Sequence, residues 1–309
     1  MDETRRSFIK GMLTGGTLLA FGIPTVTEAV SLSQTLSGDT RNCRLLLGNT
    51  PIDEAFAKGA QAAYTRFSSF NQKGALPTFQ FADELLTNPL RIIDLLTQSR
   101  NMRWVAIMDY ANAAIFTELV RNSERHLLAL GSHMFASSDN TSLPQRHVWT
   151  TASPAYSAGG LLASLLTQRQ HDFSIVENFL EQTMADKAVS DSPLVGFSSF
   201  RLTEQPAMHL YCAGVPPLEA SQRIGWKTSE NWQSALSRED KTTNATAIEY
   251  PKFENWIENT GYAIVATALG MGMPQESCSN RAFVHRSNQR NSNHQGLSGQ
   301  QFVSFVIDA

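Results

Sequence analysis

From residue 43 onward, apolar positions come in short runs, each followed by a stretch at helical spacing. Cys43-Arg44-Leu45-Leu46-Leu47 is the first run, closed by the turn Gly48-Asn49-Thr50-Pro51. From Asp53 to about Ser68 the apolar residues Phe56, Ala60, Ala63, Tyr64 and Phe67 fall on one face at 3.6-residue spacing, which predicts an amphipathic helix. Pro51 and Asp53 suit its start. The alternation then repeats: Thr78–Phe81 as strand, Pro89–Gln98 as helix, Trp104–Met108 as strand, Ala113–Asn122 as helix, Leu127–Leu130 as strand. Further on, Val148–Thr151 predicts a strand, Tyr156–Gln168 a small-residue helix, Val176–Met184 a helix, and Leu194–Phe197 and Met208–Tyr211 apolar runs. Phe253–Leu269 predicts a helix, and Ala282–Val284 and Phe302–Ile307 two closing strands.

Apolar strands without clean alternation, each separated by one helix, indicate parallel pairing with both faces covered. Right-handed crossovers then give an α/β fold of doubly wound parallel sheets. The aperiodic polar stretch Ser137–His147 divides the pattern into two Rossmann-like lobes. The expected organisation is 1–29 signal, 30–42 linker, 43–146 first lobe, 147–250 second lobe, and 251–309 a helix and strands returning to the first lobe.

Composition narrows the function classes. The net charge of -3 over 309 residues supplies no electrostatic footprint for nucleic acid or an anionic membrane. Three cysteines, Cys43, Cys212 and Cys278, are too few for a disulfide framework, and their odd number leaves at least one thiol free. HExxH, CxxC, Walker and EF-hand signatures are absent. Gly196-Phe-Ser-Ser-Phe200 lacks the second glycine of a nucleophile elbow. Gly270-Met-Gly272-Met-Pro274 follows a helix rather than a strand, and so reads as a helix stop. The seven histidines are spread singly; His126 and His133 flank the fourth strand and are expected at the surface or rim. These signatures leave open whether a cofactor is bound, and the leading expectation is not an enzyme.

The N-terminus changes the picture. Thr4-Arg5-Arg6-Ser7-Phe8-Ile9-Lys10 precedes a short glycine-broken apolar stretch and the small-residue site Thr27-Glu28-Ala29. It resembles a twin-arginine export signal, with Ile9 in place of the usual Leu. The resemblance implies the Tat translocase as partner, Arg5 and Arg6 as the recognised pair, cleavage near Ala29, and a periplasmic mature chain. Arg5, Arg6 and Lys10 balance Asp2, Glu3 and Glu28, so cleavage leaves the net charge as it was.

In an open parallel sheet, ligands sit beyond the carboxyl ends of the strands. The residues there are Asn49, Thr50 and Asp53 after the first strand, Asp83 after the second, Asp109 and Tyr110 after the third, and Ser132 and His133 after the fourth. Their donors and acceptors suit a small polar solute. Asp53 as a helix cap and Asp109 as a turn residue are equally open readings.

The segment Leu45-Leu-Leu-Gly-Asn-Thr-Pro-Ile-Asp-Glu-Ala-Phe-Ala-Lys-Gly-Ala-Gln-Ala-Ala63 resembles the opening of type I periplasmic binding proteins of the LacI-like, sugar-binding kind. Asn88–Leu96, Trp104–Asp109 and Leu127–Leu130 fall where that family has its second helix and its third and fourth strands. Ser153-Pro-Ala-Tyr-Ser-Ala-Gly159 is similar to the opening of its second lobe, with Ser153-Pro154 standing where the family has Asp-Asn. The likeness runs over about residues 43–168. It implies a two-lobed fold with a ligand cleft, in which Tyr156 and Ser157 face the first lobe's strand ends. The function expected is that of an extracytoplasmic small-solute binding protein acting with a membrane permease or sensor. The alternatives are a Tat-exported accessory protein of a periplasmic redox enzyme, or a cofactor-containing periplasmic enzyme.

Overall fold

The computed structural model describes residues 42–68, 74–81, 89–99, 101–123, 125–134, 145–151, 158–167, 172–179, 197–203, 208–223, 232–235, 251–253, 255–269, 278–284 and 299–309. The export signal with Arg5 and Arg6, and the site candidates Asp83, Tyr156 and Ser157, lie outside them. Among the described residues no helix is long and apolar enough to cross a membrane.

The strands are β1 (Asn42–Leu47), β2 (Thr78–Gln80), β3 (Met102–Asp109), β4 (His126–Met134), β5 (Gln145–Thr151), β6 (Phe173–Phe179), β7 (Ser198–Leu202), β8 (Met208–Ala213), β9 (Trp232–Ser234), β10 (Cys278–Val284) and β11 (Gln301–Asp308). The helices are α1 (Asp53–Phe67), α2 (Pro89–Gln98), α3 (Tyr110–Asn122), α4 (Ala158–Thr167), α5 (Pro217–Arg223) and α6 (Trp256–Ala268). All strands join one 11-stranded mixed sheet, ordered β2-β1-β3-β11-β4-β5-β10-β6-β8-β7-β9.

The α/β class and the helix cover on both faces agree with the sequence. One face carries α1, α4 and α6, through a core that includes Phe56, Ala60, Leu162, Leu165, Tyr262 and Val265. The other carries α2 and α3 over Leu46, Trp104, Ala106 and Phe305, and α5 over Val176 and Leu210.

Strand direction departs from the parallel expectation. Only β2, β1 and β3 pair parallel. β11 enters antiparallel between β3 and β4. From β4 to β9 every pairing is antiparallel, so the sheet runs unbroken from β4 into β5. The physical reason is that an apolar run marks a strand covered on both faces, whichever way its neighbours point. A second difference lies at residues 176–179, expected as the start of a helix over Val176–Met184 but folded as the end of β6. Phe173, Ile175 and Phe179 alternate with Val176 on opposite faces, and the buried Glu177 interrupts the apolar pattern.

α6 is buried along almost its whole length. It crosses α1 with backbone near backbone: a Cβ on Gly59 would lie 2.7 Å from the Glu258 carbonyl carbon, and one on Gly261 would lie 3.1 Å from that of Phe56. Lys58 Nζ donates to Glu258 Oε1 at 2.9 Å beside this crossing. At the other end of α6, Arg103 ties three elements together. Its Nε and Nη2 donate to Asp308 at 2.6 and 2.8 Å, and its Nη1 donates to the Ala268 carbonyl at 2.7 Å. A planar guanidinium meeting both oxygens of one carboxylate fixes orientation as well as distance. It locks the start of β3 to the end of β11.

Candidate functional site

β1, β3 and β4 share a direction, so their carboxyl ends meet at one edge of the sheet, where β11 begins. Asn49 follows β1 with φ of 59°, a left-handed conformation that Asn tolerates better than most residues. Its neighbour Gly48 lies against β3, where a Cβ would come 2.8 Å from Met108 Cα. That close approach seats the β1 loop on the end of β3.

Both aspartates at this edge hold their own loops. Thr50 donates to Asp53, N–H to Oδ2 at 3.1 Å and Oγ1 to Oδ1 at 2.5 Å. Burial pushes the Asp53 carboxyl above its ordinary range, against the lowering effect of those bonds. Asp109 is the N-cap of α3: Oδ1 accepts from the N–H groups of Ala111 and Asn112 at 2.9 and 3.0 Å, and Oδ2 accepts from Asn112 Nδ2. Such a cap satisfies donors the helix leaves open. Tyr110 packs toward the α2–α3 side, and its hydroxyl has no hydrogen-bond partner among the described residues. Ser132 accepts from Gln301 Nε2 at 2.7 Å, bridging β4 to β11. The edge therefore brings together Asn49, Thr50 and Asp53 in one loop, Asp109 and Tyr110 at the head of α3, and Ser132 with Gln301.

His133 is elsewhere than expected. It is 1% exposed, so it is a core residue and not a rim residue. β4 and β5 pair antiparallel with His133 opposite His147, itself 1% exposed. The Nδ1 atoms of the two rings stand 3.1 Å apart, and His133 Nε2 is 2.8 Å from Ser304 Oγ on β11. His147 also lies against Trp256, the first residue of α6, at 5.1 Å between ring centroids. Burial holds both imidazoles neutral: it lowers His147 to about 3, and lowers His133 well below its ordinary value with help from His147.

These residues belong to a polar stripe on the α6-covered face. One row across the sheet reads Asp109, Phe302, His133, His147, Ala282, Ile175, Tyr211 and Ser199. The next carries Ile107, Ser304, Gly131, Glu177, His209 and Arg201. Residues two apart on a strand share a face, so both rows lie on the same side. Glu177 and His209 are fully buried. His209 packs against Phe179 and Tyr211, at 5.3 and 6.2 Å between centroids.

His147, Ser304, Glu177 and His209 were not among the sequence candidates. One signal was available: the turn-forming cluster Ser137-Ser138-Asp139-Asn140-Thr141-Ser142 between two β-rich runs suggests a hairpin. The antiparallel β4–β5 register sets His133 opposite His147. Among the described residues no group of three or more His, Cys, Asp or Glu is placed to hold a metal ion. Compared with family models, with curated proteins and with solved structures, the chain matches none.

Proposed function

We propose that this chain, exported by the twin-arginine route, binds a small polar solute outside the cytoplasmic membrane and presents it to a permease or sensor. The observation that carries the reading is the meeting of Asn49, Thr50, Asp53, Asp109, Tyr110 and Ser132, from three separate stretches of chain, at one strand-end edge. Open α/β sheets bind ligands at such an edge. The order β1-α1-β2-α2-β3-α3-β4 supports a likeness to the first lobe of type I periplasmic binding proteins. On this reading the solute sits at that edge, over Asn49 and Tyr110. Asp109 shapes the site as the cap of α3, and Asp53 does so by holding the Thr50 loop.

A thermal-shift panel of monosaccharides, amino acids and small carboxylates tests the proposal. A solute present at about 100 times its Kd should add about 2.7 kcal/mol of stability. Tyr110→Phe should leave the ligand-free melting temperature unchanged and weaken binding by about 1 kcal/mol, the worth of one hydroxyl hydrogen bond. A panel in which nothing raises the melting temperature sinks the reading. Export is read separately: replacing Arg5 and Arg6 by lysine should hold uncleaved precursor in the cytoplasm.

A further inference from the structure

The sheet face that carries α2, α3 and α5 holds a cation for which the described fold supplies no anion. Across its middle the register runs Val303, Ser132, Val148, Arg281 and Val176, from β11 to β6. Two helix-covered cores flank this strip. Val303 and Leu130 pack on the α2–α3 side, and Val176 and Phe283 on the α5 side. Val148 joins neither core and is half-buried, and Met134, at the end of β4, is 41% exposed.

Arg281 stands at the centre of β10, half-buried, with Val148 and Val176 as its register partners. Among the described residues nothing accepts a hydrogen bond from its guanidinium, and no carboxylate pairs with it. Burial lowers its pKa from the ordinary value, and no neighbouring charge opposes that effect. A guanidinium has five N–H donors and keeps its proton in proteins. Half-burying it without acceptors costs free energy that an apolar side chain in the same place would not. A ligand that brings the acceptors removes that cost. We infer that Arg281 anchors a second ligand site, one that takes a short-chain carboxylate with an apolar body.

The planar fork fits both oxygens of one carboxylate through two parallel hydrogen bonds, a geometry that a lysine does not reproduce. The neighbours argue for the apolar body. Met134 lies two strands across and two residues along from Arg281, about 12 Å between main chains. A chain of a few carbons lying over Val148 toward Met134 covers apolar surface that is otherwise wet. Phosphate gains nothing from those side chains. The site is separate from the strand-end edge: β10 is four strands from β3, about 19 Å, so one small solute does not touch both Arg281 and Tyr110.

The test melts the purified chain with pentanoate, with its uncharged isostere pentanamide, and with inorganic phosphate. Pentanoate should raise the melting temperature, and the other two should not. Arg281→Leu should hold or raise the ligand-free melting temperature, because an unpaired half-buried charge is gone; a residue that merely braces the sheet would lower it. Arg281→Leu and Arg281→Lys should each weaken pentanoate about tenfold or more, the worth of a charge-assisted hydrogen bond. Phenylglyoxal gives a second readout: peptide mass should find Arg281 modified, and more slowly when pentanoate is present. A wild-type chain that ignores pentanoate, a shift shared by pentanamide, one produced by phosphate alone, or one kept in Arg281→Leu overturns the inference. Tyr110→Phe should leave the pentanoate response intact, so failure here and failure at the strand-end edge are read separately.

Discussion

Gly59→Ala tests the packing of α1 on α6, because two effects of known size oppose each other there. On propensity alone, alanine in a helix interior is better than glycine by about 1 kcal/mol. At this position, however, the added methyl would fall inside the contact shell of the Glu258 carbonyl oxygen, 2.7 Å from its carbon and 2.9 Å from Glu258 Cα. The obstacle is main chain, so no rotamer change relieves it and the two helices must separate. Overpacking of a well-packed core costs about 1–3 kcal/mol, and backbone against backbone belongs at the upper end. The net expectation is a loss of about 2 kcal/mol, which lowers the melting temperature by about 4–8 °C. Gly261→Ala meets the Phe56 main chain from the other helix and should behave alike. Because the first substitution already separates the helices, the double variant should cost less than the sum of the singles. Gly74→Ala, with nothing within 4 Å, is the control and should leave the melting curve in place. Circular-dichroism melts of the four variants suffice. A Gly59→Ala protein as stable as the parent would refute the crossing.

Two further outcomes follow from buried titratable groups. His133 and His147 are neutral in the fold, with pKa values pushed below the ordinary 6.5, His147 to about 3. The unfolded chain therefore binds protons that the folded chain refuses, so their contribution is intact above pH 6.5 and is lost as pH falls toward 3. Well below pH 6.5 the loss should approach about 1.4 kcal/mol per pH unit for each histidine. Urea titrations between pH 7 and 5 should show a shallower slope in His133→Gln/His147→Gln, and an equal slope would contradict the neutral assignment. Cys43 and Cys212 are free and buried, with thiols pushed up to about 12 by desolvation. Neither should react with a thiol reagent at neutral pH until the chain is unfolded, and rapid native labelling would show that one of them is accessible.

Where local pattern alone decides an element, the sequence was a sufficient guide. α1 and α2 were legible at their starts because Asp53 and Pro89 open runs with 3.6-residue apolar spacing. Asp109 was open between ligand and turn residue, and folds as the cap of α3. Strand direction was not legible, because β11 reaches its place between β3 and β4 from the far end of the chain. Nothing local in Trp104–Met108 or Leu127–Leu130 distinguishes a parallel neighbour from an antiparallel one. The histidine pair failed for the same reason: its members are 14 residues apart, and only the β4–β5 register makes them neighbours.

The misreading of β6 leads back to the site. Glu177, the residue that broke its apolar pattern, lies in the row that also holds Ser304 and His209, next to the row of His133 and His147. A buried polar group costs stability unless its hydrogen bonds are made, and apolar residues of like volume often serve a core as well or better. Had this face been selected for packing alone, the apolar surroundings of Phe302, Val306, Ile107 and Ile175 could have continued across it. Instead five buried polar side chains, Ser304, His133, His147, Glu177 and His209, lie in two adjacent rows on the α6-covered face. Places where local sequence rules fail inside a consistent fold are the places to look for function. The cost is incurred in one strip, on the face that also carries the glycine-lined crossing the first prediction probes. Fold and polar strip are coupled at α6: separating it from α1 should also loosen the Trp256 wall against His147, so Gly59→Ala should speed amide hydrogen exchange in β4 and β5, and unchanged exchange there would refute the coupling.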